Sequence, residues 1–424
     1  MKIQSLKNKK ILILGFGLEG LDTFLFLKKK FPKKEIFVAD IKELKEFDSK
    51  SKKALKKASL ISGKNYLSRI KGFDVIVKTP GIPLNRIKKY VGKAIITSQT
   101  ELFLDNCKSS VVGITGTKGK STTSALLYHV LKKNGFDVYL VGNIETPALS
   151  YLEKAKKKTI FVYEMSCHQL DGLRKSPHIA VFLNVYPEHL DYYKSFKEYF
   201  SAKANIAFHQ KKSDYFVFNP KFNLIKILAK KVKSKSVPIK NDKIVSSITH
   251  QDNLNSVLEV CRILKLSRDK ALKAMGSFKK LAHRLEYAGE YRGIRFYDDS
   301  ISTIPESTVY ALEELGDDVQ TLIAGGLDRG IDYKKLGKRI DSSKVKTLIL
   351  FPDSGEKILK TIKRKINHHF VSSMDAAVEL CFKNTDKGKI CLLSPASSSY
   401  NLFKNFKERG DLFKKYAKSH EKRK

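Results

Sequence analysis

The run Gly113-Ile114-Thr115-Gly116-Thr117-Lys118-Gly119-Lys120-Ser121-Thr122-Thr123 decides how this chain is read. Ahead of it, residues 110–115 predict a short buried strand. Behind it, residues 121–133 predict a helix with Ala125, Leu126, Val130 and Leu131 apolar and Asn134-Gly135 as its stop. A glycine-rich turn between strand and helix, with Lys-Ser at the first helical turn, forms a phosphate cradle. Backbone N–H groups and the positive helix end face the anion, Lys120 meets the outer phosphates, and Ser121 offers a hydroxyl to magnesium. The spacing departs from the general phosphate loop: Ile114 stands five before Gly119, and the glycines fall at 113 and 116. The strand–helix context outweighs an ordinary tight turn, so the chain is expected to bind a nucleoside triphosphate.

With 424 residues the chain exceeds one core, and two to four domains are expected. No apolar run approaches the ~20 residues of a membrane span. The early run at residues 11–14 breaks at once into glycines, which marks a strand rather than a signal-peptide core. Five cysteines (107, 167, 261, 381, 391) form no CxxC pair and fit a reducing cytoplasm, the expected location. Lysine and arginine number 82 against 43 acidic residues, a formal net charge of +39. Such a surface favours anionic partners. The lysines are nevertheless spread along the chain (28–30, 52–57, 154–158, 229–235, 414–415), and no aromatic interleaving marks an RNA surface. Neither nucleic acid nor membrane is the expected partner; anionic small substrates would gain from the same field.

Alternating β-like and helical stretches argue an α/β protein with mainly parallel sheets. Three domains are expected, at residues 1–108, 109–282 and 283–424, with lysine-rich 229–250 as an irregular excursion. In the first, Gly15-Phe16-Gly17-Leu18-Glu19-Gly20 matches G-x-G-x-x-G directly after a strand, and a helix follows over 21–30. Asp40 ends the next strand, 20 residues beyond Gly20, where a carboxylate can accept from a ribose hydroxyl. Alone this suggests a nicotinamide dehydrogenase, but the downstream phosphate loop favours a Rossmann-like domain holding another nucleotide.

The middle segment carries three further runs rich in metal- and phosphate-handling groups. They are Glu164-Met165-Ser166-Cys167-His168-Gln169-Leu170, Asn184-Val185-Tyr186-Pro187-Glu188-His189-Leu190-Asp191, and Tyr199-Phe200-Ser201-Ala202-Lys203. The first two follow strands, so their polar groups converge on the crevice where α/β sheets bind ligands. Glu164 suits Mg²⁺ by charge and oxygen type, and His189 beside it reads as a ligand rather than a structural histidine.

Together these residues resemble the Mur ligase family over almost the whole chain. The resemblance implies three domains: a Rossmann-like N-terminal one for a UDP-sugar, a central phosphate-loop ATPase-type one, and a Rossmann-like C-terminal one for an amino acid. It puts ATP at Gly116, Thr117, Lys118, Gly119, Lys120, Ser121 and Thr122, with Asn255, Arg284 of the His283-Arg284 pair, and Asp299. It makes Lys120, Lys203 and His189 catalytic and gives two Mg²⁺ ions Ser121, Glu164, His189 and a carbamylated Lys203 as ligands. The UDP-substrate would meet Gly15, Gly17, Leu18, Gly20, Asp40, Thr79, Gly81 and, in Gly142-Asn143-Ile144, Asn143. Within the family, Glu164–Leu170, the Gly325-Gly326…Arg329-Gly330 run and Ser394-Pro395-Ala396-Ser397-Ser398-Ser399 with Phe403…Phe406…Arg409-Gly410 are most similar to the branch that adds D-glutamate to UDP-N-acetylmuramoyl-L-alanine. There Thr303, Arg329, Ser399 and Phe406 would grip the amino acid.

Five positions depart from that branch. Ile301 stands where a lysine is usual, Arg329 replaces a lysine, Glu19 replaces a small polar residue, and Gln251-Asp252 replace a His-Asn pair. Arginine can fork onto a carboxylate, with a reach and geometry unlike lysine's. The implied reaction is acyl-phosphate formation from a muramoyl carboxylate and ATP, then attack by an amino-acid amine, carried out by a cytoplasmic monomer in peptidoglycan precursor synthesis. Alternatives are a related ligase using another amino acid such as L-glutamate, a folylpolyglutamate synthase-like ligase, a dehydrogenase, or a non-enzymatic nucleotide-binding module.

Overall fold

The computed structural model describes residues 1–143, 146–188, 192–244, 249–279 and 281–421. The chain divides into two compact units, Met1–Phe278 and Lys279–Lys424.

The first unit carries two sheets. One is built from β1 (Ile11–Leu14), β2 (Phe37–Asp40), β3 (Ser59–Ser62), β4 (Val75–Lys78) and β5 (Ile95–Ser98), in the order β3-β2-β1-β4-β5. All its pairings are parallel. The other holds β6 (Ser110–Thr115), β7 (Val138–Gly142), β8 (Ile160–Glu164), β9 (Ile179–Phe182), β10 (Tyr215–Phe218) and β11 (Lys235–Pro238), in the order β11-β10-β9-β6-β8-β7. It is parallel throughout. In each sheet the first strand in sequence lies inside, with later strands on both sides of it. That arrangement opens a crevice at the strands' carboxyl ends. The central strands β1, β4, β8 and β9 are buried at every position, as parallel strands covered on both faces must be.

The second unit has β12 (Glu286–Tyr291), β13 (Ile294–Asp298), β14 (Val319–Gly326), β15 (Thr347–Asp353), β16 (Asn367–Phe370) and β17 (Ile390–Leu393), in the order β12-β13-β17-β14-β15-β16. Four of its five pairings are parallel. The fifth, β12 on β13, is an antiparallel hairpin with a bulge between Tyr287 and Gly289. The expected α/β architecture therefore stands, with an antiparallel edge the sequence reading left out.

Two local differences have plain causes. The helix after Gly17 starts at Leu18 rather than 21, because Gly17 serves as its N-cap. The lysine-rich stretch 229–250 contributes the end of the helix Asn223–Lys231 and the edge strand β11, although residues 245–248 lie outside the described ones. Among the described residues strand β11 pairs only with β10, and it is mostly exposed, so its apolar content is too low to announce it. Among the described residues no helix is long and apolar enough to cross a membrane.

Candidate functional site

Strand β6 ends at the phosphate loop, and the helix Lys120–Lys133 leaves it with Gly119 as N-cap at φ +80°. A Cβ at Gly119 would lie 2.5 Å from Asn253 Oδ1, so glycine is required there for backbone sign and for room. The turn is pinned from the end of β9. Asn184 accepts the Lys118 N–H at 2.8 Å through Oδ1 and donates to the Lys118 carbonyl at 3.1 Å, while its own carbonyl takes the Thr117 N–H at 3.0 Å. The Thr117 hydroxyl accepts the Tyr186 N–H at 2.9 Å and lies 3.0 Å from the Tyr199 hydroxyl.

Two ammonium groups converge on this turn. Lys120 Nζ donates to the carbonyls of Gly116 and Thr117, both at 2.9 Å. Lys203, from the helix Phe196–Phe208, donates to the same Gly116 carbonyl at 2.8 Å and is 1% exposed. Burial, then the neighbouring Lys120 charge, brings the Lys203 ammonium down to about 8 against the pull of Cys167, Glu188 and Glu164. A sizeable neutral fraction of a buried amine is what reaction with carbon dioxide requires.

Across from the loop, Glu164 at the end of β8 is 1% exposed. Its Oε1 accepts from Asn143 Nδ2 at 2.9 Å, and the Asn143 N–H binds the Glu164 carbonyl at 2.9 Å. Its Oε2 is buried without a hydrogen-bond partner. A dry carboxylate with one oxygen held and the other unmet suits a hard divalent cation. Ser121 lies on the first turn of the helix beside it, partly buried. His189, with Ile144, Leu190 and Asp191, lies outside the described residues.

The structure separates two asparagines that the sequence left close. On the helix Gln251–Ile263, Asn253 faces Gly119, while Asn255 donates to the Asp242 carbonyl at 3.0 Å and leaves Oδ1 buried and unpaired. Residues two apart on a helix point to different faces, so one of them alone can abut the loop. Asn184 is the loop's main brace, a duty more specific than its place in a polar run after a strand implies. Its signal was position, the first polar residue after the apolar run of β9.

The glycine loop after β1 is built as tightly. Gly15 has φ +89°, and a Cβ there would lie 2.0 Å from Thr79 Oγ1, which itself donates to the Leu14 carbonyl at 2.9 Å. A Cβ at Gly20 would lie 2.2 Å from the Gly15 carbonyl oxygen. Asp40 accepts the Phe16 N–H at 2.7 Å through Oδ2, which holds the loop, and the Lys42 N–H at 2.9 Å through Oδ1, which closes its own turn. Leu18, the first residue of the helix, and Gly81, on the loop after β4, are exposed.

In the second unit, three loops gather at the carboxyl ends of β13, β14 and β17. Asp299 accepts from the hydroxyls of Ser302 at 2.5 Å and Ser394 at 2.8 Å and from the Leu285 N–H at 3.2 Å. Burial pushes its carboxyl up to about 7. Arg409 is fully buried and donates to the Ser300 hydroxyl at 3.0 Å and to the carbonyls of Ser300 and Ser397 at 2.8 and 3.1 Å. Ser300 in turn donates to the Phe406 carbonyl at 2.8 Å. Ser399 is buried, and Thr303 and Arg329 are partly buried on loops of this unit, as is Arg284.

Residues 114–279 match the Mur ligase middle domain, and residues 283–397 match the Mur ligase, glutamate ligase domain. A UDP-N-acetylmuramoylalanine--D-glutamate ligase of Acetivibrio thermocellus is 33% identical over 459 residues, covering 98% of this chain and 97% of that one. One from Clostridium botulinum is 32% identical over 98% and 97% of the two chains. Among solved structures, the MurF ligase from Thermotoga maritima in complex with ADP shares the fold, with a TM-score of 0.63 at 19% identity over 91% of this chain and 96% of that one.

Proposed function

The chain belongs to the Mur ligase family, and on that premise we propose that it joins D-glutamate to UDP-N-acetylmuramoyl-L-alanine at the expense of ATP. Residues 1–108 would hold the UDP-sugar, 109–282 the ATP and 283–424 the amino acid, in a monomer working in the cytoplasm. The observation that carries the reading is the meeting of Lys120 and Lys203 on one carbonyl oxygen, that of Gly116, within the phosphate loop. Two cations on one acceptor are a poor arrangement unless anions join them. A triphosphate facing Lys120 and a carbamate on Lys203 supply both.

The chemistry follows. The substrate carboxylate attacks the γ-phosphorus of ATP and ADP leaves, giving an acyl phosphate. The amine of glutamate, having lost one proton to solvent, attacks the acyl carbon, and the tetrahedral oxyanion loses a second proton from nitrogen and collapses with loss of inorganic phosphate, whose oxygens can carry that proton away. Carboxylate and triphosphate repel each other, so charge neutralisation at a fixed geometry is the main task of the protein. Lys120 and the first-turn N–H groups of its helix meet the outer phosphates. Glu164, Ser121, carbamylated Lys203 and His189 would hold Mg²⁺, and the unmet Oε2 of Glu164 fits that duty. Magnesium, when bound, screens the phosphate oxygens against the incoming carboxylate. Asn143 orients Glu164 and stands where the muramoyl group is expected. Arg329, Thr303, Ser399 and Phe406 would grip glutamate, and Arg284 and Asp299 the nucleotide.

The test is ADP release from ATP with UDP-N-acetylmuramoyl-L-alanine and a panel of D- and L-amino acids, with the product weighed by mass spectrometry. D-Glutamate should support turnover and give the dipeptide product. Turnover with L-glutamate alone, or with a folate acceptor in place of the UDP-sugar, would overturn the reading.

A further inference from the structure

The loops leaving β1 and β4 wall the crevice of the first sheet, and two ionisable side chains that the reaction does not use stand there, Lys78 buried and Glu19 partly buried. Glu19 is the second residue of the helix Leu18–Lys30. Its Oε1 accepts from Gln169 Nε2 at 2.6 Å, and its Oε2 is buried without a partner. Gln169 has nothing more to offer at its other end, because its Oε1 already accepts the Ser166 N–H at 2.8 Å. Lys78, the last residue of β4, is 3% exposed and donates to the carbonyls of Ile82 at 3.0 Å and Thr79 at 3.4 Å.

The charges around Glu19 come from each element packed on it. Lys78 faces it from β4, Asp22 from the next turn of its own helix, and the Tyr163 hydroxyl from β8. Lys78 also feels Asp171, and Asp22 is engaged by Gln99 at 3.0 Å. Burial pushes the Glu19 carboxyl up to about 7 despite the opposing pull of Gln169 and Lys78, with Asp22 adding to the rise. Burial likewise draws the Lys78 ammonium down. Glu19 thus stands in a loop built for an anion and carries a charge that an anion would repel.

We propose that Glu19 is a proton-coupled specificity residue of this crevice: when the UDP-sugar binds, its diphosphate takes over Lys78 as counter-ion and Glu19 takes up one proton from solvent. The neutral carboxyl then presents Oε2–H, the one atom without a partner, to a phosphate oxygen, while Oε1 keeps Gln169. The substrate's diphosphate is a diester that holds no proton near neutrality, so the proton goes to the protein. The inference rests on the reading of this loop as the UDP-sugar site.

Calorimetric titration of the full chain with UDP-N-acetylmuramoyl-L-alanine, without ATP, tests it. Runs in buffers of different ionisation enthalpy count the protons taken up. Above pH 7 binding should consume close to one proton, and affinity should fall on the order of tenfold between pH 6.5 and 8.5. Glu19→Gln removes the charge and keeps the Gln169 contact, so it should bind at pH 8.5 as tightly as the unchanged protein at pH 6.5, with no proton uptake. Lys78→Met should weaken binding across the range. Equal proton uptake in the unchanged protein and Glu19→Gln, or unaltered affinity in Lys78→Met, overturns the proposal. Failure of all three proteins to bind, with folding intact by circular dichroism, would instead refute the UDP-sugar assignment beneath it.

Discussion

Replacing Lys203 by Met should make the protein more stable and less able to work. The side chain is 1% exposed, and its ammonium is drawn from 10.5 to about 8, which corresponds to roughly 3 kcal/mol against the charged form in the fold. Methionine fills similar space without charge. It forfeits the bond to the Gly116 carbonyl, about 1.5–3 kcal/mol for a charged donor, so a net gain of about 1 kcal/mol is expected at pH 7. The pH dependence is sharper than the absolute value. Unfolded lysine keeps its proton up to 10.5, whereas the folded one releases it near 8, so between those values the unfolded state holds more protons and stability rises with pH. Lys203→Met lacks that rise. Its advantage at pH 7 should shrink and then reverse as pH climbs from 8 towards 10.5. Urea unfolding followed by far-UV circular dichroism, in buffers freed of carbon dioxide, measures both proteins; the chain has no tryptophan to report instead. Adding bicarbonate at pH 8 should stabilise only the unchanged protein. A variant less stable at pH 7, or a stability difference constant between pH 8 and 10, would refute the reasoning.

Lys120→Ala should lower ATP-dependent ligation by several orders of magnitude with the fold kept, read as ADP release alongside circular dichroism; near-normal turnover would place the ATP elsewhere. Lys203→Ala should regain part of its activity with added short-chain carboxylic acids, which Lys120→Ala should not, and identical responses in the acid would argue against the carbamate. Arg329→Ala should raise the Michaelis constant for glutamate strongly and leave that for ATP nearly unchanged, with Arg329→Lys recovering only part because an ammonium cannot fork onto two oxygens. Gly119→Ala should cost about 1–2 kcal/mol through its φ of +80° and the 2.5 Å approach to Asn253, and denaturant midpoints would show it.

The parts of the fold that were legible are those where sequence alone determines geometry. Strand β6, the glycine turn and the helix Lys120–Lys133 follow from apolar runs and a left-handed glycine, all within 25 residues. The strands β1, β8 and β9 were announced by continuous apolar residues. Strand β12 was not, because a bulged edge alternates poorly and Gly289 interrupts it. Within the site, Lys120, Glu164 and Lys203 were nominated by motif, and the structure brings Lys120 and Lys203 onto one carbonyl. What sequence could not supply was partnership across the chain. Asn184 binding Lys118, 66 residues away, and Gln169 binding Glu19, 150 residues away, depend on which loops the sheets bring side by side. The choice between Asn253 and Asn255 likewise depends on helix rotation, which composition does not set.

The edge strand β11 carries a wider lesson about the lysines. It is the open border of a six-stranded sheet, and such a border can recruit a strand from another molecule. Lys230, Lys231, Lys233, Lys235, Lys240 and Lys243 stand on and around it. A second copy approaching edge-on meets the same row of ammonium groups, within a molecule already at +39. A like charge of that size opposes the close approach of copies. Salt shortens its reach, to about 8 Å at physiological ionic strength. Polyanions reverse it, so this protein should stay clearest at low salt and cloud first when mixed with nucleic acid.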